Sequence, residues 1–319
     1  MANTKSTSKN KKPAVKAEKT APQEELVKEE KVLEEVAAAA PEAPQEAPAP
    51  EGKGESTAAA SGVTAPEAGA PAEEPAPEVK VEEKKKILFV ASEAAPFIAT
   101  GGLAEVIGSL SKALAKEDRY DVRVIIPLYQ DIKKEYRKDF RFIGNIFVPL
   151  SWRNQYCGIF EYVKDNVTFY FVDNEYYFKR PGCYGYYDDG ERFAFFCRSV
   201  MEILGFLNFY PDILHCHDWQ AALAAIYLKT IYCFRPEYQF IRAVFTIHNI
   251  EYQGQYSLDI LEDLFGISYR YQYLVEYDRC INLMKGAIEC CEQFTTVSPT
   301  YAGEIKDPYY SHGLDPIVR

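Results

Sequence analysis

Three short clusters concentrate the side chains and backbone that could do chemistry. Thr100-Gly101-Gly102-Leu103-Ala104-Glu105 sets paired glycines immediately ahead of an apolar pattern at helical spacing. Paired glycines let backbone approach a ligand closely, and a helix start presents free amides and a partial positive charge, so a diphosphate is the natural guest. The pattern is neither G-x-G-x-x-G nor a Walker loop, and an ordinary turn uses the same residues, so its place after a buried first strand carries the reading.

The second cluster is His215-Cys216-His217-Asp218-Trp219. Alternation along a strand puts His215 and His217 on one face, as two ligands of a zinc ion would need. Only His248 and His312 remain as further histidines, with no metal-ligand spacing. The competing expectation is a polar strand end whose Asp218 caps the next helix and meets substrate. The third cluster is Thr246-Ile247-His248-Asn249-Ile250-Glu251-Tyr252-Gln253-Gly254. Here His248 and Asn249 can donate to sugar hydroxyls and Tyr252 can stack on a ring face.

The elements around these clusters place all three at the same kind of position. Ile87–Ser92 is a continuous apolar run, the pattern of a strand buried on both faces. Leu103, Val106, Ile107, Leu110 and Leu114 then follow helical spacing, and Val122–Pro127 is a second buried strand. Strand, helix, strand makes a βαβ unit with a right-handed crossover. Three aromatic, turn-separated runs, Phe140–Leu150, Gln155–Val163 and Val167–Val172, read as antiparallel or mixed strands inserted into that frame. Alternation resumes with a helix over about 188–208, a strand Asp212–His217 and a helix Trp219–Tyr232. A strand Ala243–His248 follows, then helical segments to about Cys291, a strand Gln293–Val297 and a helix opened by Ser298-Pro299. The fold class is therefore α/β, Rossmann-like, with a mainly parallel sheet covered by helices on both faces and a β-rich insertion. Ligands in such sheets bind beyond the carboxyl ends of the strands, where the three clusters lie.

Composition bounds the function. The chain has 319 residues and a formal net charge of −11, which argues against a general grip on nucleic acid. Residues 1–86 hold no Phe, Tyr, Trp, Cys, His or Ile, and 1–85 read as a disordered tail rich in Ala, Pro, Glu and Lys, leaving 86–319 for the folded domain. The tail lacks the apolar core of a secretory signal and is too acidic for a transit peptide. With no apolar run long enough to span a membrane, the expectation is a cytoplasmic protein. The 8 Cys show no C-x-x-C pair and no regular spacing, so they are expected to be reduced.

Five motifs, in order, carry a resemblance. Ser92-Glu93-Ala94-Ala95-Pro96-Phe97, the Thr-Gly-Gly-Leu-Ala-Glu loop, His-Cys-His-Asp-Trp, the stretch Phe245–Gly254, and Thr295–Ala302 together resemble the bacterial glycogen synthase and plant starch synthase family from about Lys85 to Arg319. The resemblance implies the first lobe of a two-lobed glycosyltransferase-B fold and a retaining transfer of glucose from ADP-glucose to the non-reducing end of an α-1,4-glucan. Glycogen or maltooligosaccharide would be the acceptor, with no metal, cofactor, nucleic acid or membrane required. It implies donor contacts at Thr100, Gly101, Gly102, Glu105 and Asn249. Catalytic roles fall to His248 and Asp218, and acceptor-side roles to Glu93 and Tyr184.

Three positions depart from the family pattern. Ala99 stands where the family usually has Lys, Glu105 where it has Asp, and Gln220 where it has His. The chain also ends at Gly313–Arg319, where the family's hinge should begin, so it is expected to be the amino-terminal half, without the second, nucleotide-binding lobe. Two other readings follow: a non-catalytic glucan-binding module, and a zinc hydrolase built on His215, His217 and His248.

Overall fold

The computed structural model describes residues 83–319. The tail expected over 1–85 lies almost wholly outside the described residues. An eight-stranded sheet organises the rest. Its parallel part comprises β1 (Lys85–Val90), β2 (Tyr120–Pro127), β5 (Val167–Asp173), β6 (Ile213–His217), β7 (Arg242–Ile247) and β11 (Gln293–Thr296). Two long antiparallel strands, β3 (Arg141–Leu150) and β4 (Arg153–Lys164), extend it at one edge. The spatial order is β11-β7-β6-β1-β2-β5-β4-β3.

Ile87 to Val90 are buried because β1 runs through the middle of the sheet, paired on both sides and covered on both faces. From β1 the chain first winds towards β2 and β5, and later returns to add β6, β7 and β11 on the other side. The carboxyl ends of β1 and β6 therefore flank the point where the winding reverses, which is where a crevice opens in such sheets. The long helices are α1 (Gly102–Leu114), α2 (Asp189–Phe206) and α3 (Asp218–Thr230), with shorter α4 (Leu283–Cys290) and α5 (Pro299–Glu304). Helix α1 lies hard against the loop after β1: a Cβ at Gly108 would stand 2.7 Å from the carbonyl oxygen of Ala95. That close approach sets the height of the Thr100–Gly102 turn over the sheet. Ser298 caps α5 through Tyr301 N, with Pro299 in the first turn, as its sequence requires.

The expected alternation, the βαβ unit and the inserted strands are all present, with β5 parallel to β2 and antiparallel to β4. A small antiparallel sheet of β8 (Gln255–Tyr256), β9 (Glu276–Tyr277) and β10 (Cys280–Asn282) stands inside the region read as helical. Strands of two and three residues are too short to show a period of two.

Candidate functional site

A cleft of about 880 Å³ opens at the carboxyl ends of β1, β6 and β7. Its wall after β1 begins with Glu93, which is almost wholly buried. That carboxylate accepts hydrogen bonds from Thr100 Oγ1 at 2.7 Å, from Tyr184 OH and from the Thr100 backbone amide. Tyr184 OH also lies 2.7 Å from Ser92 Oγ. Glu93 thus ties the glycine turn to the loop that carries Tyr184, and both residues line the cleft. Gly101 and Gly102 are exposed, and a Cβ on either would meet nothing within 4 Å. No side chain caps the first turn of α1, so its amides face open space. Helical spacing brings Gly102, Leu103 and Val106 to the cleft. Glu105 points out to solvent and is not among the lining residues.

The opposite wall is a buried polar network. Asp218 has φ +56°, a left-handed conformation that side chains other than glycine, Asn and Asp rarely adopt. This turns its carboxylate away from its own helix. Oδ1 accepts from the backbone amides of His248 at 2.7 Å and Asn249 at 3.4 Å, clasping the end of β6 to the loop after β7. The expected helix cap at Asp218 is therefore corrected: α3 has no side-chain cap, and the carboxylate reaches across the sheet because of its backbone conformation. Burial pushes the Asp218 carboxyl up to about 7, against the two amides that favour its charged form.

Beside it, His217 is fully buried with Nδ1 3.0 Å from His248 Nε2. His215 and His217 do share a face, with ring centroids 4.1 Å apart, but His215 Nε2 is 2.7 Å from Thr246 Oγ1. Among the described residues no group of three or more His, Cys, Asp and Glu is arranged to hold a metal ion, so the expected zinc set of His215, His217 and His248 is not assembled. Burial lowers His215 and His248 to about 4 and drives His217 well below its ordinary value. All three are neutral near pH 7.

Asn249 and Tyr252 complete this wall as exposed lining residues, with Asn249 Oδ1 accepting from Glu251 N at 2.9 Å. Gln220 and Trp219 lie at the base. Sequence reasoning missed Asp189 and Arg192, which hold the Tyr184 loop. Asp189 Oδ2 accepts from Gly185 N at 2.8 Å and Tyr186 N at 3.2 Å, and its Oδ1 takes Arg192. Arg192 is fully buried and donates to the carbonyls of Tyr177 and Cys183. The spacing of Gly182 and Gly185 among tyrosines was the available signal, since both adopt positive φ. The described lining contains Glu93, Asp189 and Asp218 but no Lys or Arg.

The geometry can therefore offer backbone amides to an anion on one side and neutral donors, an aromatic face and a buried carboxylate to a polyol on the other. Comparison with known proteins places the chain in a family. Residues 86–319 match the family described as starch synthase catalytic domain. The chain is 47% identical over 236 residues to the glycogen synthase of Lactobacillus acidophilus, covering 73% of this chain and 49% of that one. It is 48% identical to the glycogen synthase of Desulforamulus reducens over 236 residues, again 73% of this chain and 49% of that one. The catalytic domain of starch synthase IV from Arabidopsis thaliana, bound to ADP and acarbose, superposes with a TM-score of 0.68 at 30% identity, over 73% of this chain and 49% of that one. The chain spans about half the length of the curated relatives it matches.

Proposed function

The chain belongs to the starch synthase catalytic domain family, and from that premise we propose that residues 86–319 form the acceptor-side half of a retaining glucosyltransferase. It moves glucose from a nucleotide-glucose, ADP-glucose, to the non-reducing end of an α-1,4-glucan such as glycogen or a maltooligosaccharide. One observation carries the reading: amides without partners at the α1 start and the Asp218–His248 clasp face one cleft at the reversal point of the sheet.

In that role the Thr100–Gly102 turn receives the diphosphate through the backbone N–H groups of Gly101 and Gly102, aimed at the charge that develops on it, while the Thr100 amide stays on Glu93 and holds the turn. His248 and Asn249 donate to hydroxyls of the transferred glucose. Asp218 holds both residues in place through their amides and presents the rest of its carboxyl to the cleft. Tyr252 covers a ring face, while Glu93 and Tyr184 bear on the acceptor. With no Lys or Arg in the described lining, neutralising the departing diphosphate falls to groups outside it. No resident cofactor or metal is needed. The same reading makes the protein cytoplasmic, supported by eight free cysteines and by the lack, among the described residues, of a helix able to cross a membrane.

The test is transfer of labelled glucose from ADP-glucose, with UDP-glucose alongside, to maltoheptaose by the full gene product, with and without chelator. Incorporation from ADP-glucose that survives the chelator is the expected result, and none from either donor overturns it. The cation-free lining favours a second reading, a glucan-binding module without catalysis. Retarded migration in glycogen-containing gels together with no transfer would select it.

A further inference from the structure

Among the groups around the cleft, one contact has no role in the scheme above: the ring-to-ring bond between His217 and His248. We infer that His217 is a positioning residue that fixes the tautomer of His248, keeping the single proton of that ring on Nδ1 so that a neutral N–H faces the cleft. What that proton is for rests on the proposed sugar-binding role of the cleft; its location does not.

The two rings meet through His217 Nδ1 and His248 Nε2 at 3.0 Å, and since both rings are neutral one proton occupies the contact. There are two ways to place it. If His248 Nε2 donates, the only proton of His217 sits on its Nδ1-opposed nitrogen, Nε2. That atom is buried and has no partner, so the arrangement leaves a sealed N–H without an acceptor. If His217 Nδ1 donates, the sealed atom is a lone pair, which weak C–H contacts from neighbouring ring edges can meet. Orphaned buried N–H groups are the rarer of the two in folded proteins. The second arrangement is therefore the one the fold supports, and it forces the His248 proton onto Nδ1.

The position of the His217 ring is held from behind. His217 is stacked on Phe89, with centroids 5.6 Å apart and planes 22° apart, and packs against the tilted ring of His215 at 4.1 Å. Phe89 is fully buried in the central strand. His215 is tied in turn to Thr246 Oγ1, which lies 2.8 Å from Thr295 Oγ1, so β6, β7 and β11 are linked behind the ring. On its other side His248 is held through its backbone amide by Asp218. The remaining polar atom, His248 Nδ1, has no protein partner and is not among the buried orphan atoms, so it opens on the cleft the residue lines. A free histidine leans towards the Nε2–H form, so the fold reverses the intrinsic preference and the result is diagnostic.

The chain has only four histidines, His215, His217, His248 and His312, which makes the measurement tractable. The experiment is a long-range 1H–15N correlation spectrum of the full chain with 15N-labelled histidine near pH 7, assigned with His248→Gln. A pyrrole-like Nδ1 and a pyridine-like Nε2 on His248 are expected; the reverse pattern overturns the inference. His217→Phe keeps the stack on Phe89 and removes the donor, so His248 should shift to Nε2–H or to an averaged mixture. An unchanged Nδ1–H signal in that variant overturns the positioning role. If His217→Phe does not fold, His217→Asn, whose amide can donate from near the Nδ1 position, should retain Nδ1–H, and a switch to Nε2–H there counts against the inference. A chain that shows the expected tautomer yet transfers no glucose defeats the proposed activity and leaves this inference standing.

Discussion

The two walls of the cleft are built on opposite principles. The glycine turn after β1 offers bare backbone: a Cβ on Gly101 or Gly102 would meet nothing within 4 Å, and the α1 start has no side-chain cap. The wall after β6 and β7 is finished before any ligand arrives, with Asp218, His217 and His248 buried or half-buried and bonded to one another. One wall is completed by its ligand and the other is pre-organised. A diphosphate brings its own charge and can order amides around it, whereas neutral hydroxyls must be recognised by donors already aimed.

The strongest way to break this contrast is Asp218→Ala. It removes two amide bonds to a carboxylate and puts Ala at φ +56°. The relief of carboxylate burial offsets part of the loss, leaving about 2–3 kcal/mol of lower stability in urea unfolding. Freed from the clasp, His248 should drift, and transfer should fall by at least about 100-fold. Asp218→Asn tolerates the same φ and keeps an oxygen for both amides, so it should unfold close to wild type while still losing activity. If Asp218→Ala transfers glucose normally, the wall is not pre-organised by this residue.

The same wall sets a pH signature. Burial lowers His215 and His248 to about 4 and pushes His217 well below the ordinary value of 6.5. Depressed histidines bind protons more readily in the unfolded chain, so their contribution is present above 6.5 and is lost as pH falls towards 4. Asp218, raised to about 7 from 3.8, works in the opposite sense: the folded state holds its proton, a contribution present below about 4 and lost as pH rises to 7. Three histidines against one carboxyl leave stability rising with pH between about 4.5 and 6.5. The slope approaches two protons, or about 2–3 kcal/mol per pH unit at its steepest. Urea midpoints measured across that range check it, and a flat profile would mean these rings are not held neutral.

These residues also show what was legible beforehand. The buried runs of β1, β2 and β6 reveal a parallel sheet because strands covered on both faces have no polar alternation to disguise them. Once the sheet is placed, the clusters at its strand ends become a site. Asp218 suits a helix cap by type and position; the positive φ that turns its carboxylate across to His248 has no sequence pattern. Arg192 looks like a solvated charge on α2, and only the packed loop 177–189 makes it a buried clamp. Tyr184 came through resemblance, not spacing, and Glu105 shares the motif of the glycine turn but not its face, because it stands about 100° around the helix from Val106 and about 160° from Leu103.

On the open wall, Gly102→Ala should leave the free protein untouched, since nothing lies within 4 Å of the added carbon. At a helix start the change is neutral or slightly stabilising, by no more than about 1 kcal/mol. Its effect belongs to the complex: a methyl where the diphosphate must approach should weaken ADP binding by about tenfold, near 1.4 kcal/mol by calorimetry. Equal affinity in variant and wild type would show that the nucleotide does not use this turn.

The smallest effect sharpens the contrast best. Ala99 is exposed one residue before Thr100, on a wall whose described lining holds no Lys or Arg. In Ala99→Lys an ammonium would reach the mouth of the cleft, where Glu93 is already occupied by Thr100 and Tyr184. An exposed cation near a phosphate contributes about 0.3–1 kcal/mol at low ionic strength, so ADP should bind about two- to fivefold tighter. Raising salt to about 0.5 M shortens the screening length to a few ångströms and should erase the gain. Maltoheptaose, being neutral, should bind Ala99→Lys and wild type alike. A gain for both ligands would mean the lysine had reshaped the cleft, and no gain for ADP at low salt would mean amides alone meet the anion on this wall.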